Sequence, residues 1–329
     1  MNSTMKKLSV AAMVALFVAA CGGTAASPSG PALTGEIAID GSSTVYPITE
    51  AVAEEFQTAN PGVQVTVAFS GTGGGFKKFC AGEMDANNAS RPIKTSDKPG
   101  DDGVAGTADD VLSEATLCKN AGIEYIELKV AIDALAVVVS KENTFVDCLT
   151  TDELKSIWDL GSVVETWADV RAGWPAEKID LYGPGADSGT FDYFTEVING
   201  EAKRSRSDYT ASEDDNTLVT GINGSQYALG YFGLAYVTEN ADKIRAVEVD
   251  GGKGCTAPSA DAANDGTYVP LGRPLFIYPS VAALARPEVA AFFRFFLENT
   301  NTLSAEVGYI GLNDEDLAAA KAILEGALK

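Results

Sequence analysis

Three times along this chain, a short run of alternating apolar residues gives way to a loop of glycine, serine and threonine and then to a helical stretch. Glu36–Asp40 reads as a strand, Gly41-Ser42-Ser43-Thr44 as a loop, and the segment through Pro47–Gln57 as a helix. Pro47 fits the first helical position, where its missing N–H costs nothing. Val63–Phe69 alternates as a strand, Ser70–Gly75 follows as a glycine-rich loop, and a helix starts over Phe76–Ala81. Lys178–Tyr182, the loop Gly183–Gly189 and a helix over Thr190–Ile198 repeat the unit. Ile123–Lys129, Ala131–Ser140 and Leu275–Tyr278 add strands; Thr150–Leu160, Pro287–Glu298 and Glu315–Leu328 add helices. Such repetition argues an α/β fold with mixed, mostly parallel sheets.

The three loops share one chemistry. GSST (41–44), SGTGGG (70–75) and DSGT (187–190) each combine small hydroxyls with glycine at a strand-to-helix junction. Ligands of open α/β sheets bind beyond the carboxyl ends of strands. There the next helix presents unpaired N–H groups and a partial positive charge. Hydroxyls add donors and glycine lets backbone approach closely, so three such loops suit a tetrahedral oxyanion surrounded from several sides. Ser43 and Thr44 also fit helix N-caps. Phe76 stands where a dinucleotide loop needs its third glycine, and the GADSG around Ser188 is not the G-x-S-x-G elbow of a hydrolase.

The 329 residues contain no histidine, which removes histidine-based acid–base catalysis, the Ser-His-Asp triad and histidine metal sites together. A net charge of −22 argues against nucleic acid or anionic lipid as a partner. Asp97, Asp101, Asp102, Asp109 and Asp110 crowd one stretch, but the EF-hand register is absent, and the segment reads as an acidic, solvated excursion. No metal or cofactor is expected. Trp158, Trp167, Trp174 and the FFRFF run at 292–296 read as core.

At the N-terminus, Lys6 and Lys7 precede an apolar run, Leu8–Ala20, too short to span a bilayer, and Cys21 follows. This resembles a bacterial lipoprotein signal. The resemblance implies cleavage after residue 20, lipid on Cys21 and a flexible tether over 21–33. Four cysteines remain, Cys80, Cys118, Cys148 and Cys255; an even count in an exported chain suggests two disulfides, with three connectivities open.

GSSTVYP, FSGTGGGFKKFCAGEMDANNASRPIK, YGPGADSGTFDYF, YTASEDDNTLVTGINGSQYALGYFGLAYV and RPLFIYPS, in that order, resemble the phosphate-binding proteins of bacterial phosphate ABC transporters. The resemblance implies a two-lobed periplasmic-binding-protein-like fold of type II, with two hinge crossings near Lys129–Asp133 and Arg273–Tyr278. Lobe 1 would comprise 34–131 and 277–329, and lobe 2 would comprise 132–276. Because a bridge between lobes would hinder closure, the implied disulfides are Cys80–Cys118 and Cys148–Cys255.

The implied phosphate ligands are Ser43 with the Thr44 backbone N–H, Thr72 with Gly73, Ser90 and Arg91, and Ser188, Gly189 and Thr190 from the other lobe. Many family members carry an aspartate where this chain has Arg91, and an arginine where it has Pro184; a subgroup carries the Ser-Arg pair. Asp187 is the candidate acceptor for the proton that phosphate carries and sulfate lacks. Asn216, with Asp214 and Asp215, ranks lower, as a group that holds Arg91 or touches ligand. The implied protein is not an enzyme. It is an extracytoplasmic, membrane-anchored monomer that passes phosphate to the permease subunits of the transporter. Another oxyanion binder (sulfate, molybdate) and a metal-dependent phosphohydrolase are the competing readings.

Overall fold

The computed structural model describes residues 32–329 except Asp101, Asp187 and Glu213. The expected leader, the lipidation site Cys21, most of the tether and the candidate acceptor Asp187 lie outside the described residues.

Eleven strands form among the described residues. They are β1 (Gly35–Gly41), β2 (Val63–Val67), β3 (Ala86–Ala89), β4 (Leu128–Ser140), β5 (Cys148–Thr150), β6 (Asp180–Pro184), β7 (Thr210–Ser212), β8 (Ala228–Gly233), β9 (Ile244–Asp250), β10 (Cys255–Thr256) and β11 (Gly272–Pro279). They join in the order β2-β1-β3-β11-β4-β8-β6-β7, with β9 on β4 and with β5 and β10 on β9. β1 pairs in parallel with β2 and β3, and β6 in parallel with β7 and β8. Between these wings β11 runs antiparallel to β3 and β4, and β4 antiparallel to β8. The sheet is therefore mixed, and most of its antiparallel pairing involves the two long strands β4 and β11.

β4 joins the two sheet regions. Leu128–Ala134 pairs with β11, and Leu135–Val139 pairs with β8. Apart from Lys129 every residue of β4 is buried, and this explains its near-continuous apolar run. The alternation of 123–129 predicts a separate strand, but only Leu128 and Lys129 join a ladder. Tyr125 makes an isolated bridge to Ser280, and Glu127 accepts a hydrogen bond from Tyr278 Oη at 2.5 Å.

Helices cover these sheets. They begin with α1 (Tyr46–Ala59), α2 (Thr72–Cys80), α3 (Glu114–Asn120), α4 (Thr151–Trp158), α5 (Trp167–Val170) and α6 (Gly189–Phe194), which continues as a π turn over Thr195–Asn199. α4 carries a full capping box, Thr150 with Glu153. One core packs Ile37, Ile39 and Phe56 against Phe292, Phe293 and Phe296 of the long helix Pro287–Glu306. Another gathers Trp158, Trp167, Phe194 and Tyr231 beside the second half of β4. Burying each such side chain contributes about 1.5–3 kcal/mol, so both sheet regions are firm frames for the loops at their edges. The two disulfides join Cys80 to Cys118 and Cys148 to Cys255, the pairing implied by the resemblance.

Candidate functional site

A cavity of about 530 Å³ opens beyond the carboxyl ends of β1, β2 and β3. One wall is Ser42, Ser43, Thr44, Gly71, Thr72, Gly73, Ser90, Arg91, Pro92 and Lys94. Asp192, Tyr193, Glu196, Val197 and Ala202 face it, and Pro270, Gly272, Arg273 and Pro274 complete the lining.

The second loop differs from its expected form. α2 begins at Thr72, four residues before Phe76, so the glycines form the helix's first turn. Of these, Gly75 is required by packing. A Cβ on Gly75 would sit 2.4 Å from Gly41 Cα, and one on Gly41 would sit 2.2 Å from the Asn88 carbonyl oxygen. Gly71, with φ of +79°, makes the turn into the helix. Two glycines thus let the start of α2 lie directly on the end of β1, and Gly71, Thr72 and Gly73 at its N-terminal end line the cavity.

Three hydroxyls of the loops, two of them lining the cavity, follow one rule. Thr72 Oγ1 accepts from the Ser90 backbone N–H at 3.2 Å, with Ser90 Oγ also 3.2 Å away. Thr44 Oγ1 accepts from Arg273 Nη2 at 3.2 Å, and Ser188 Oγ accepts from the Thr190 N–H at 3.2 Å. A hydroxyl has one proton and two lone pairs. Each of these three has an acceptor position filled from within the protein, and Thr72 and Ser90 share one further hydroxyl contact in which either can donate.

Arg91 is braced. Its Nη1 and Nη2 donate to Glu114 Oε2 and Oε1 at 2.8 and 2.7 Å, and Glu114 Oε2 also accepts from the Lys94 N–H at 2.9 Å. Burial pushes the Glu114 carboxyl up, but Arg91 and that amide outweigh it and hold the group below the usual glutamate range. Asp214 caps the helix Asp215–Asn223 by accepting from the Asn216 N–H, and Asn216 does not line the cavity.

Ser43, Thr44, Thr72, Gly73, Ser90 and Arg91 therefore share one cavity. The Thr44 N–H is donated to Ser42 Oγ at 3.2 Å within the loop, and Thr44 lines the cavity. Two expectations change. Neither Ser43 nor Thr44 caps α1, whose N-cap is Val45 and in which Pro47 is the second residue. Ser188 caps α6, and Ser188, Gly189 and Thr190 do not line the cavity. Gly189 nonetheless lies against the first loop: a Cβ there would be 3.5 Å from Thr44 Oγ1.

Sequence reasoning missed Glu114, Lys94, Asp133, Asp192, Tyr193, Glu196 and Arg273. Two carried a signal: Asp133 and Arg273 are charges inside apolar strand runs, and they pair across β4 and β11 at 3.2 Å. Burial pushes the Asp133 carboxyl up and Arg273 opposes it. Burial also pushes Asp192 up, and its Oδ1 is buried without a hydrogen-bond partner, with Lys203 Nζ 3.9 Å away.

The family described as the PBP superfamily domain matches residues 26–300. Phosphate-binding protein PstS of Staphylococcus saprophyticus is 36% identical over 94% of this chain and 90% of its own. The chain belongs to the phosphate-binding-protein family of the PBP superfamily. Among other relatives of this phosphate-binding-protein chain, Protein SphX of Synechococcus elongatus is 45% identical over 86% of this chain and 80% of its own. A crystal structure described as a possible phosphate binding protein from Planctomyces limnophilus superposes with a TM-score of 0.82 at 51% identity. That match covers 90% of this chain and all of the other.

Proposed function

We propose that this protein binds inorganic phosphate in the cavity beneath Thr72 and Arg91 and delivers it, unchanged, to the permease of an ABC importer. The observation that carries the reading is the polarity of the site. The Thr44 hydroxyl has its proton left to give, Thr72 and Ser90 bring two more hydroxyls, the first residues of α2 line the same cavity, and Arg91 is fixed beside them. Donors of this kind suit a small oxyanion enclosed away from water.

Ser43, Thr44, Thr72, Gly73, Ser90 and Arg91 make the first contacts in this reading. Ser188, Gly189 and Thr190 join when lobe 2 (132–276) closes on lobe 1 (34–131 with 277–329), turning about β4 and β11. The acceptor for the phosphate proton belongs to the third-loop stretch: Asp187 beside Ser188, or Asp192 with its unpartnered buried oxygen. The protein acts as a monomer outside the cytoplasm, held to the membrane through lipidated Cys21 after loss of residues 1–20. It is not an enzyme, and a chain without histidine suits that role. Among the described residues no helix is long and apolar enough to cross a membrane.

Calorimetric titration with phosphate, sulfate, molybdate and arsenate tests the reading. Saturable binding of one phosphate with sulfate far weaker supports it; preference for sulfate or molybdate replaces it with another oxyanion.

A further inference from the structure

Arg273 touches three elements at once. It is the second residue of β11, its side chain is only 14% exposed, and it lies opposite Asp133 on β4, with Nε donating to Asp133 Oδ2 at 3.2 Å. Its Nη2 donates to Thr44 Oγ1 in the first loop at 3.2 Å. The guanidinium carbon lies 3.5 Å from the centre of the Tyr193 ring on α6. A buried carboxylate at its edge and an aromatic face beneath it hold the guanidinium plane, so the bond to Thr44 has a fixed direction.

We infer that Arg273 is a positioning residue for anion capture and acts through Thr44. A hydroxyl is ambivalent: rotated one way it offers a proton to the cavity, rotated the other way a lone pair that repels an anion. With Arg273 occupying one acceptor position, the remaining proton of the buried Thr44 hydroxyl turns to the cavity, and the charge-assisted bond makes that O–H a stronger donor. Arg273 thereby sets the sign of the hydroxyl that stands between it and the ligand. This rests on the reading that the cavity takes phosphate.

The test is a double-mutant cycle on phosphate affinity, with thermal midpoints recorded beside it. Arg273→Gln alone would leave Asp133 buried without its cation and risks unfolding. The pair is therefore replaced together, Asp133→Asn with Arg273→Gln, in wild-type, Thr44→Ser and Thr44→Val backgrounds. The account expects about tenfold weaker binding, or more, in the wild-type and Thr44→Ser backgrounds, and less than about threefold in Thr44→Val. An equal loss with and without the Thr44 hydroxyl means that Arg273 meets the anion directly, and the inference is wrong. No loss in any background overturns it as well. If the wild-type protein fails to bind phosphate, the proposed function falls and this inference with it; the other failures leave that function standing.

Discussion

Arg91 and Glu114 share two parallel hydrogen bonds, at 2.8 and 2.7 Å, across 23 residues of chain. The brace uses one edge of the guanidinium, Nη1 also donates to the Pro92 carbonyl at 3.1 Å, and Nε with the second Nη2 hydrogen remains for a ligand. Glu114→Gln removes the charge and one acceptor, and phosphate should bind about ten- to a hundredfold more weakly, the range of about 1.5–3 kcal/mol for a charged hydrogen bond. The sign of the pH effect follows. Glu114 has a folded pKa below its unfolded one. Its contribution is complete above the ordinary glutamate value of about 4.3 and is lost as pH falls through the lower folded value. Affinity measured from neutral pH downward should keep the wild-type advantage over Glu114→Gln past that point, then lose it. A constant ratio at every pH would show that the carboxylate is irrelevant.

Thr72 is the hydroxyl most exposed to a simple test. Thr72→Val removes a donor from the cavity and strands the Ser90 N–H, and affinity should fall by roughly tenfold or more. Thr72→Ser keeps both bonds and should stay within about threefold, within roughly 0.6 kcal/mol. Wild-type affinity in Thr72→Val would remove this residue from the site.

The two disulfides should separate stability from binding. Cys80–Cys118 ties α2 to α3, and these helices begin at Thr72 and Glu114. Cys148–Cys255 closes a longer stretch, 107 residues against 38, and involves no residue lining the cavity. Chain entropy assigns about 4 kcal/mol to the shorter loop and nearly 5 to the longer. Replacing Cys148 and Cys255 by alanine should lower the melting midpoint more and leave phosphate affinity near wild type. Replacing Cys80 and Cys118 should lower both. Unchanged affinity in that second variant would break the link between the bridge and the brace.

Selectivity should reside in one carboxylate. A buried acceptor takes the proton of hydrogen phosphate and finds none on sulfate, and an amide in its place can offer N–H to either. Asp187→Asn or Asp192→Asn should therefore shrink the phosphate-to-sulfate preference by about tenfold or more, roughly 1.4 kcal/mol. If both variants discriminate as the wild type does, no acceptor of this kind lies in the third-loop stretch.

Local pattern revealed the parts of the protein that are local. Hydroxyl and glycine loops at strand ends are short-range signals, and Thr72 and Arg91 both line the cavity. Partnerships set by long-range pairing were silent. β3 is four residues, ANNA, with no apolar alternation, yet all four are buried and the Asn88 side chain accepts from Thr49 Oγ1. Glu114 looks like any surface acid until the fold brings Arg91 beside it. Even the start of α2 was decided elsewhere, because the bare backbones of Gly41 and Gly75 meet only in the folded chain.

Calorimetric titration of the chain beginning at Gly22 with phosphate, then sulfate, addresses the central claim most directly. The account predicts one phosphate per molecule with Kd at or below about 1 μM, near −8 kcal/mol, and sulfate weaker by about a hundredfold or more. Absence of saturable phosphate binding, or equal affinity for the two anions, would contradict it.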